Sequence, residues 1–268
     1  MKLNKIALSA VMAMSVFAGV PAVTSVSAAE NYVYDGDLTE NGTAVPEAWG
    51  VTPTPEQYRY QKEELAGFVH FGPNTFNNIE WGENYGDRAP DEIFTLENDF
   101  DAETLVKAFH DAGFKKIIVT AKHHDGFCIW ASDYTEYDVA STSYKNGQGD
   151  ILAEISEACT RYDMDMGLYL SPWDINAESY GYYDAEGRPT TAQGDVLDYN
   201  DYYVDQLNEI LGDDKYGNDG HFTEIWMDGA KGSGSDAQDY DFQRWYDTIQ
   251  AQEGLEAGYD SECMIFQC

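Results

Sequence analysis

The chain has 268 residues and a formal net charge of −34 at pH 7, from 15 basic and 49 acidic residues. Such an acidic surface repels phosphate groups, which argues against nucleic acid and anionic membranes as partners. The length corresponds to one ordinary domain that can bury a core without disulfide or metal support. The cysteines have no C-x-x-C spacing, so they predict neither a disulfide framework nor a zinc site, although a single bridge stays open.

Residues 1–29 have the pattern of a signal peptide. Lys2 and Lys5 form a basic start, an apolar run of about fifteen residues follows, and small residues end at Ala29. The run is shorter than the roughly 20 apolar residues that a membrane-spanning helix needs. We therefore expect a secreted protein without membrane insertion. Residues 30–53 lack periodicity and predict an extended lead-in.

From residue 54 onward, apolar patterning predicts helices alternating with strands. Thr54 can cap the first helix, and Gln57 stands at the reciprocal position of a capping box. Periodic apolar stripes predict the helices, and short continuous apolar runs predict buried strands. The predicted helices cover 54–64, 101–112, 150–162, 195–211 and 241–252, and the predicted strands cover 65–71, 114–121, 166–170, 223–227 and 263–266.

This alternation predicts an α/β fold with parallel strands covered by helices. Polar residues follow directly after the strands, namely His70, His123, His124, Asp174 and Asp228. Placing such residues at the carboxyl ends of parallel strands is typical of a (β/α)8 barrel, and no Gly-rich phosphate loop points to an open doubly wound sheet. A barrel has eight strands, so we expect residues 54–268 to be the N-terminal part of an incomplete barrel domain.

Asp228 is the strongest candidate for a catalytic residue. It follows a short apolar strand and precedes Gly229, which allows a sharp turn and leaves room for a ligand. A carboxylate held at the mouth of a strand can attack an anomeric carbon and form a glycosyl-enzyme intermediate. From this motif alone, an aspartate that caps the next helix is an equal alternative.

The histidine pair His123 and His124 permits several interpretations. Neighbours on a strand point to opposite faces, so both could bind one metal only where the strand has ended. They could bind ligand hydroxyl groups instead, or one of them could lie in the core. His70 and Asp125 could complete a metal site, which leaves a metal-dependent hydrolase as an alternative. The carboxylate and ring at 80–81 suit a sugar, or the ring packs within a loop.

Five segments stand out along the chain. They are Phe68-Val-His-Phe-Gly-Pro-Asn-Thr-Phe76, Glu80-Trp-Gly82, Thr120-Ala-Lys-His-His-Asp-Gly-Phe-Cys128, Gly167-Leu-Tyr-Leu-Ser-Pro-Trp-Asp174 and Glu224-Ile-Trp-Met-Asp-Gly229. Taken together, they resemble glycoside hydrolase family 29, the α-L-fucosidases, and the match runs in order over about residues 55–268. The Pro-Asn-Thr-Phe and Leu-Ser-Pro-Trp-Asp motifs are similar to those of the branch acting on α-1,3/1,4-linked fucose.

The resemblance implies a retaining exo-glycosidase that removes terminal α-L-fucose, with Asp228 as the nucleophile. It implies no metal and no other cofactor. The implied partner is a fucosylated oligosaccharide or glycoconjugate, and the oligomeric state is left open. The implied substrate-binding residues are His70, Glu80, Trp81, His123, His124, Tyr169 and Trp226.

One departure from the family concerns the general acid/base. In the family this residue is a Glu in a loop after the strand that residues 263–266 resemble, and this chain stops before that position. Glu80 or Glu224 could substitute, but no pattern supports either. Retaining chemistry needs two carboxyl groups, so we expect a truncated chain with little or no fucosidase activity. A catalytically inactive fucose-binding protein is the alternative.

Overall fold

The computed structural model describes residues 50–79, 89–96, 100–181, 198–229, 237–253 and 263–267. The chain divides into two compact units, Met1–Lys62 and Glu63–Cys268. The first unit contains helix α1 (Pro55–Glu63) apart from its last residue. The predicted capping box is confirmed, because the Thr54 and Gln57 backbone N–H groups donate to each other's side chains at 3.1 and 3.2 Å. The predicted signal peptide and most of the lead-in lie outside the described residues.

The second unit contains a five-stranded sheet in which every strand is parallel and lies beside its neighbour in sequence. The predicted α/β class with parallel strands is therefore confirmed, and the described residues supply five strands of the expected barrel. The strands are β1 (Ala66–Val69), β2 (Lys116–Lys122), β3 (Asp165–Leu170), β4 (Glu224–Met227) and β5 (Met264–Gln267).

The longer helices of this unit begin at aspartate caps. Asp101, Asp150 and Asp198 accept hydrogen bonds from backbone N–H groups in the first turns of their helices. The two short helices were not predicted, since each begins with a proline and is too brief for a periodic stripe. The helices are α2 (Pro73–Asn77), α3 (Pro90–Ile93), α4 (Ala102–Asp111), α5 (Ile151–Tyr162), α6 (Tyr199–Leu211) and α7 (Phe242–Glu253), with a 3-10 turn at Tyr144–Asn146.

The outer face of the sheet packs directly against helices. At Gly67 on β1, a Cβ atom would lie 2.6 Å from the Phe109 ring of α4, so only glycine permits this contact. Opposite this, the inner face carries a layer of aromatic rings. Phe68 lies 5.8 Å from Tyr169 and 5.7 Å from Trp226, measured between ring centroids. The outer contacts build the core, and the inner ring layer lies below the carboxyl ends of the strands.

The alternation of side chains along β2 changes near its end. Thr120 pairs with Tyr169 of β3, but the next pair is Lys122 with Leu170, so Ala121 is an extra residue. This irregularity turns Lys122 to the outer face, where its Nζ reaches α6. Because β2 ends there, the following histidines lie beyond the strand.

Three cysteines lie in the described part of the chain. Cys128, Cys159 and Cys263 are buried and free, so none of them forms a bridge. Cys268 lies outside the described residues. Within the described segments, no helix combines the length and the apolar character needed to cross a membrane.

Candidate active site at the carboxyl ends of the strands

Three predicted histidines meet at the carboxyl ends of β1 and β2. The ring centroids of His70 and His123 lie 4.7 Å apart, and those of His123 and His124 lie 4.1 Å apart. Consecutive histidines can adjoin in this way because β2 has ended at Lys122. His70 Nδ1 also lies 3.2 Å from Thr120 Oγ1. The structure therefore brings these histidines together, as the sequence predicted for ligand-binding residues at one rim.

The histidine pair is neutral at pH 7. Burial lowers the pKa of His123 to about 3, and the neighbouring His124 and His70 act in the same direction. Burial also lowers the pKa of His124, although the charge of Asp228 opposes this. A neutral imidazole has one donor and one acceptor nitrogen, which matches hydroxyl groups that can both donate and accept. His123 Nδ1 is buried and has no hydrogen-bond partner within the described segments.

Asp228 follows β4 and is held by a tyrosine. The Tyr169 hydroxyl donates to Asp228 Oδ2 at 2.9 Å, so two predicted site residues are in direct contact. Gly229 has a φ of 137°, and a Cβ atom there would lie 2.8 Å from Trp173 Cβ. The next described helix, α7, has Asp241 in front of it, and this carboxylate accepts from the Arg244 N–H. Among described elements, Asp228 caps no helix, and its side chain contacts Tyr169.

Ser171 and Trp173 join these elements and were not predicted as site residues. Ser171 Oγ lies 2.7 Å from His124 Nδ1, 2.8 Å from the Trp173 carbonyl oxygen and 3.0 Å from the Asp228 carbonyl oxygen. The Trp173 ring lies 5.0 Å from the His124 ring. Both residues stand within the Leu-Ser-Pro-Trp-Asp segment, and this motif was the sequence signal that could have indicated them as site residues. A serine after a strand is too common a feature to predict such contacts by itself.

A buried lysine supports the loop that carries Trp173. Lys122 Nζ donates to Asp174 Oδ2 at 2.9 Å, to the Tyr199 hydroxyl at 3.2 Å and to Gln206 Oε1 at 2.7 Å. Asp174 Oδ1 accepts the two backbone N–H groups of 176 and 177 at 3.0 and 2.9 Å. Asp174 therefore shapes the loop after β3, and its carboxylate is occupied by these structural contacts.

Asp125 ties helix α2 to the loop after β2. Its carboxylate accepts from Asn74 Nδ2 at 3.0 Å and from the Phe127 N–H at 2.8 Å. Burial raises the pKa of Asp125 to about 7, although both hydrogen bonds act in the opposite direction. A small cleft lies beside it, lined by His70 and His123 among others. Asp125 is thus a buried group next to the histidines.

The other predicted residues either lie away from the histidines and Asp228 or lie outside the described residues. Glu80 and Trp81 lie outside the described residues. Trp226 belongs to the inner ring layer, and its Nε1 has no hydrogen-bond partner within the described segments. Glu224 contacts Lys116 at the opposite end of the sheet. Glu224 lies four residues before Asp228, or about 13 Å along the strand, which is too far for a carboxyl pair that needs about 5–5.5 Å.

A metal centre was the alternative interpretation of the histidines. Over the described ranges, no group of three or more His, Cys, Asp or Glu side chains is arranged to hold a metal ion. The histidine rings contact one another instead, with His123 between His70 and His124.

Known proteins with similar sequences are α-L-fucosidases. Alpha-L-fucosidase 1 of Arabidopsis thaliana is 40% identical over 197 residues, which cover 74% of this chain and 35% of the relative. A putative alpha-L-fucosidase 1 of Oryza sativa subsp. japonica is 38% identical over 214 residues, with 79% of this chain and 37% of the relative covered. The chain thus spans little more than a third of these relatives.

Solved structures agree with this similarity. A GH29 fucosidase of Ruminococcus gnavus in complex with fucose is 69% identical, with a TM-score of 0.76 over 80% of this chain and 43% of its own. A putative alpha-L-fucosidase of Bacteroides ovatus is 41% identical, with a TM-score of 0.64 over 80% and 32%. The sequence model of the Alpha-L-fucosidase family matches residues 44–259. By its sequence, its parallel sheet and the residues at the strand ends, the chain belongs to the α-L-fucosidase family, GH29.

Proposed function

We propose that this chain carries the nucleophile side of a retaining α-L-fucosidase site that removes terminal fucose through a covalent fucosyl–Asp228 intermediate. The observation behind the proposal is the Asp228 carboxylate, hydrogen-bonded to Tyr169 at the end of β4. Neutral histidines follow β2, which is separated from β4 by β3 in the same sheet. Family membership supports the same activity, as does a related structure that holds fucose.

The mechanism has two steps. Tyr169 holds Oδ2 of Asp228, so we assign Oδ1 as the oxygen that attacks C1 of fucose. The C1–O bond breaks, and its electron pair leaves with the departing oxygen, which needs a proton from a general acid. Water then attacks C1, loses a proton to the conjugate base and restores the Asp228 carboxylate. The proposal requires no metal or other cofactor.

The remaining substrate contacts are proposed from the family resemblance. The neutral imidazole of His123 can donate to one hydroxyl group and accept from another, whereas His124, whose Nδ1 contacts Ser171, offers Nε2. His70 lies against His123 and extends this polar wall. We assign the other contacts with the sugar to Glu80, Trp81 and Trp226.

We propose a secreted enzyme whose substrate is an α-1,3- or α-1,4-fucosylated oligosaccharide or glycoconjugate. The linkage rests on the Pro-Asn-Thr-Phe and Leu-Ser-Pro-Trp-Asp segments, and the location rests on the pattern of residues 1–29. Binding of α-1,3- or α-1,4-fucosylated trisaccharides should exceed that of α-1,2- and α-1,6-linked isomers in calorimetry. Equal affinity for all four linkages would contradict the proposed preference.

We also propose that the 268-residue chain alone hydrolyses fucosides poorly. Glu224 lies far along β4 from Asp228, and the family resemblance assigns the general acid/base to neither Glu224 nor Glu80. Without a general acid, a poor leaving group departs slowly. The purified chain should release little 4-nitrophenol from the aryl α-L-fucoside, and rapid release would contradict this proposal.

The nucleophile can be tested without a general acid. The chain is incubated with 2-deoxy-2-fluoro-α-L-fucosyl fluoride, whose fluoride leaves with the C1–F electron pair and needs no protonation. We expect one fluorofucosyl group per chain, located on Asp228 by peptide mass spectrometry. Asp228→Asn should remain unlabelled, whereas Asp219→Asn, at an exposed turn, should be labelled like the wild type.

Two outcomes would contradict the proposed function. Labelling at another residue would assign a different nucleophile. A folded chain that binds fucose but forms no adduct would favour the inactive fucose-binding protein.

A further inference from the structure

We propose that Ser171 is a positioning residue that fixes the proton of His124 on Nδ1 and anchors the backbone of Asp228. The inference deepens the proposed function, because it explains how two residues of the proposed fucose site are held. It concerns how the protein arranges these residues before any sugar binds. Ser171 itself is not assigned a contact with the substrate.

The Ser171 hydroxyl group has a single proton to donate. Ser171 Oγ lies within hydrogen-bond distance of the carbonyl oxygens of Trp173 and Asp228, at 2.8 and 3.0 Å. Carbonyl oxygens can only accept, so the hydroxyl proton is directed to one of them. The hydroxyl oxygen then has lone pairs for a donor. His124 Nδ1, at 2.7 Å, is in place to be this donor.

The reverse arrangement is electrostatically unfavourable. If the hydroxyl donated to His124 Nδ1, both carbonyl oxygens would face lone pairs of Ser171 Oγ at 3.0 Å or less, with no proton between them. Ser171 is fully buried, so water cannot relieve this repulsion. The geometry therefore favours the tautomer with a proton on His124 Nδ1.

This choice of tautomer decides what His124 can offer a ligand. Burial lowers the pKa of His124, so the ring is neutral at pH 7 and its Nε2 carries a lone pair. A neutral ring with Nδ1–H can accept a hydrogen bond at Nε2 from a sugar hydroxyl group. The opposite tautomer would present a donor there and would suit a different hydroxyl orientation.

The same hydroxyl links three neighbouring strand ends. His124 follows β2, Ser171 follows β3 and Asp228 follows β4, and these strands are adjacent in the sheet. A contact to the Asp228 carbonyl oxygen restrains the main chain from which the proposed nucleophile projects. Loss of the hydroxyl should therefore disturb the histidine and the aspartate together.

The experiment measures the tautomer directly on the full chain. Long-range ¹H–¹⁵N spectra of the ¹⁵N-labelled protein distinguish Nδ1–H from Nε2–H for each histidine, and His124→Gln assigns the signal. We expect Nδ1–H in the wild type. Ser171→Ala should populate Nε2–H and weaken binding of L-fucose about tenfold, the effect of one lost buried hydrogen bond. Ser171→Thr keeps the hydroxyl and should keep the Nδ1 proton.

Ser156→Ala is the matched control. Ser156 is also buried, and its Oγ contacts the Leu152 carbonyl oxygen and the Gly217 N–H, away from the histidines. This variant should lose stability but keep both the His124 signal and the fucose affinity. A shift of the His124 signal in Ser156→Ala would show that the signal reports general loosening, and this would overturn the assignment to Ser171.

Each outcome separates this inference from the proposed function. Nε2–H at His124 in the wild type would overturn the inference whether or not fucose binds, and this holds even if Ser171→Ala fails to fold. An unchanged tautomer in a folded Ser171→Ala would also overturn it. Nδ1–H in a wild type that binds no fucose would support the inference and count against the proposed function.

Discussion

Strand β2 carries a buried lysine at each end, and the two are held in different ways. Lys116 begins the strand and Lys122 ends it, with 1% and 0% of their surfaces exposed. Lys122 Nζ donates three hydrogen bonds, to a carboxylate, a hydroxyl and an amide oxygen. This equals the number of its N–H groups, so its hydrogen-bonding capacity is filled.

Lys116 lies between two carboxylates. Its Nζ lies 2.7 Å from carboxylate oxygens of both Glu63 and Glu224. Burial opposes its charged form, but the contacts with Glu224 and Glu63 prevail and raise the pKa of Lys116. Burial raises the pKa of Glu224, although the contact with Lys116 acts in the opposite direction. The negative charge of Glu63, which shares the same ammonium group, also raises it.

The two ends of β2 differ in the contacts that hold their lysine. At the amino end, the Lys116 ammonium group lies between two carboxylates beneath the inner ring layer, far from the proposed chemistry. At the carboxyl end, directed hydrogen bonds hold Asp174 and so the loop that carries Trp173. Directed bonds suit a site because they fix geometry, whereas an ion pair tolerates displacement.

The largest expected effect is that of Lys122→Met. Asp174 would stay buried without its cation, which costs about 3–5 kcal/mol in the free energy of unfolding. Urea unfolding measures this loss. Lys107→Met is the control, because Lys107 pairs with Asp111 on an exposed helix face and should change stability little. Equal losses in the two variants would break the comparison.

Lys116→Met should cost about 3 kcal/mol at pH 7, since two carboxylates remain together without their cation. This loss should shrink as the pH falls to 5, because Glu224 can take up a proton. Urea unfolding of Lys116→Met and the wild type at the two pH values tests this, and an equal loss at pH 5 and pH 7 would contradict it.

Gly229→Ala should cost about 2 kcal/mol, from backbone strain and a close contact with Trp173. Gly113→Ala is the matched control: Gly113 also has a positive φ, of 88°, but a Cβ atom there meets nothing within 4 Å. Gly113→Ala should therefore lose only the contribution of backbone strain, about 1 kcal/mol in the free energy of unfolding. Thermal unfolding gives both values, and a loss at Gly229 no larger than at Gly113 would refute the close contact.

Asp125→Asn has the smallest expected effect, and it depends on pH. The pKa of Asp125 is raised from 3.8 to about 7, so the folded state holds a proton that the unfolded state releases. The resulting stability is present at low pH and is lost as the pH rises through 7. Between pH 6 and 7.5 the wild type should lose about 1 kcal/mol more than Asp125→Asn. Denaturant titrations measure this difference, and parallel pH profiles would contradict the prediction.

Much of the fold was readable in the sequence because apolar runs and caps are local signals. All five strands and five longer helices were predicted within a few residues, and the Thr54–Gln57 capping box was predicted at the correct residues. The adjoining histidines and Asp228 were predicted from their positions after strands. The roles of Ser171 and Lys122 were not, because they depend on contacts between residues more than forty positions apart.

The extra residue in β2 reverses the alternation of side chains between the two faces of the strand. Up to Thr120, even-numbered side chains project to the inner face, as the contact of Lys116 with Glu224 shows. After Ala121 the parity is inverted, so Lys122 joins the helices instead of occupying the interior below the histidines. Regular pairing over the same residues would instead direct this cation into the ring layer. The extra residue therefore fixes the face on which Lys122 lies, an effect of residue count that substitution scanning would not reveal.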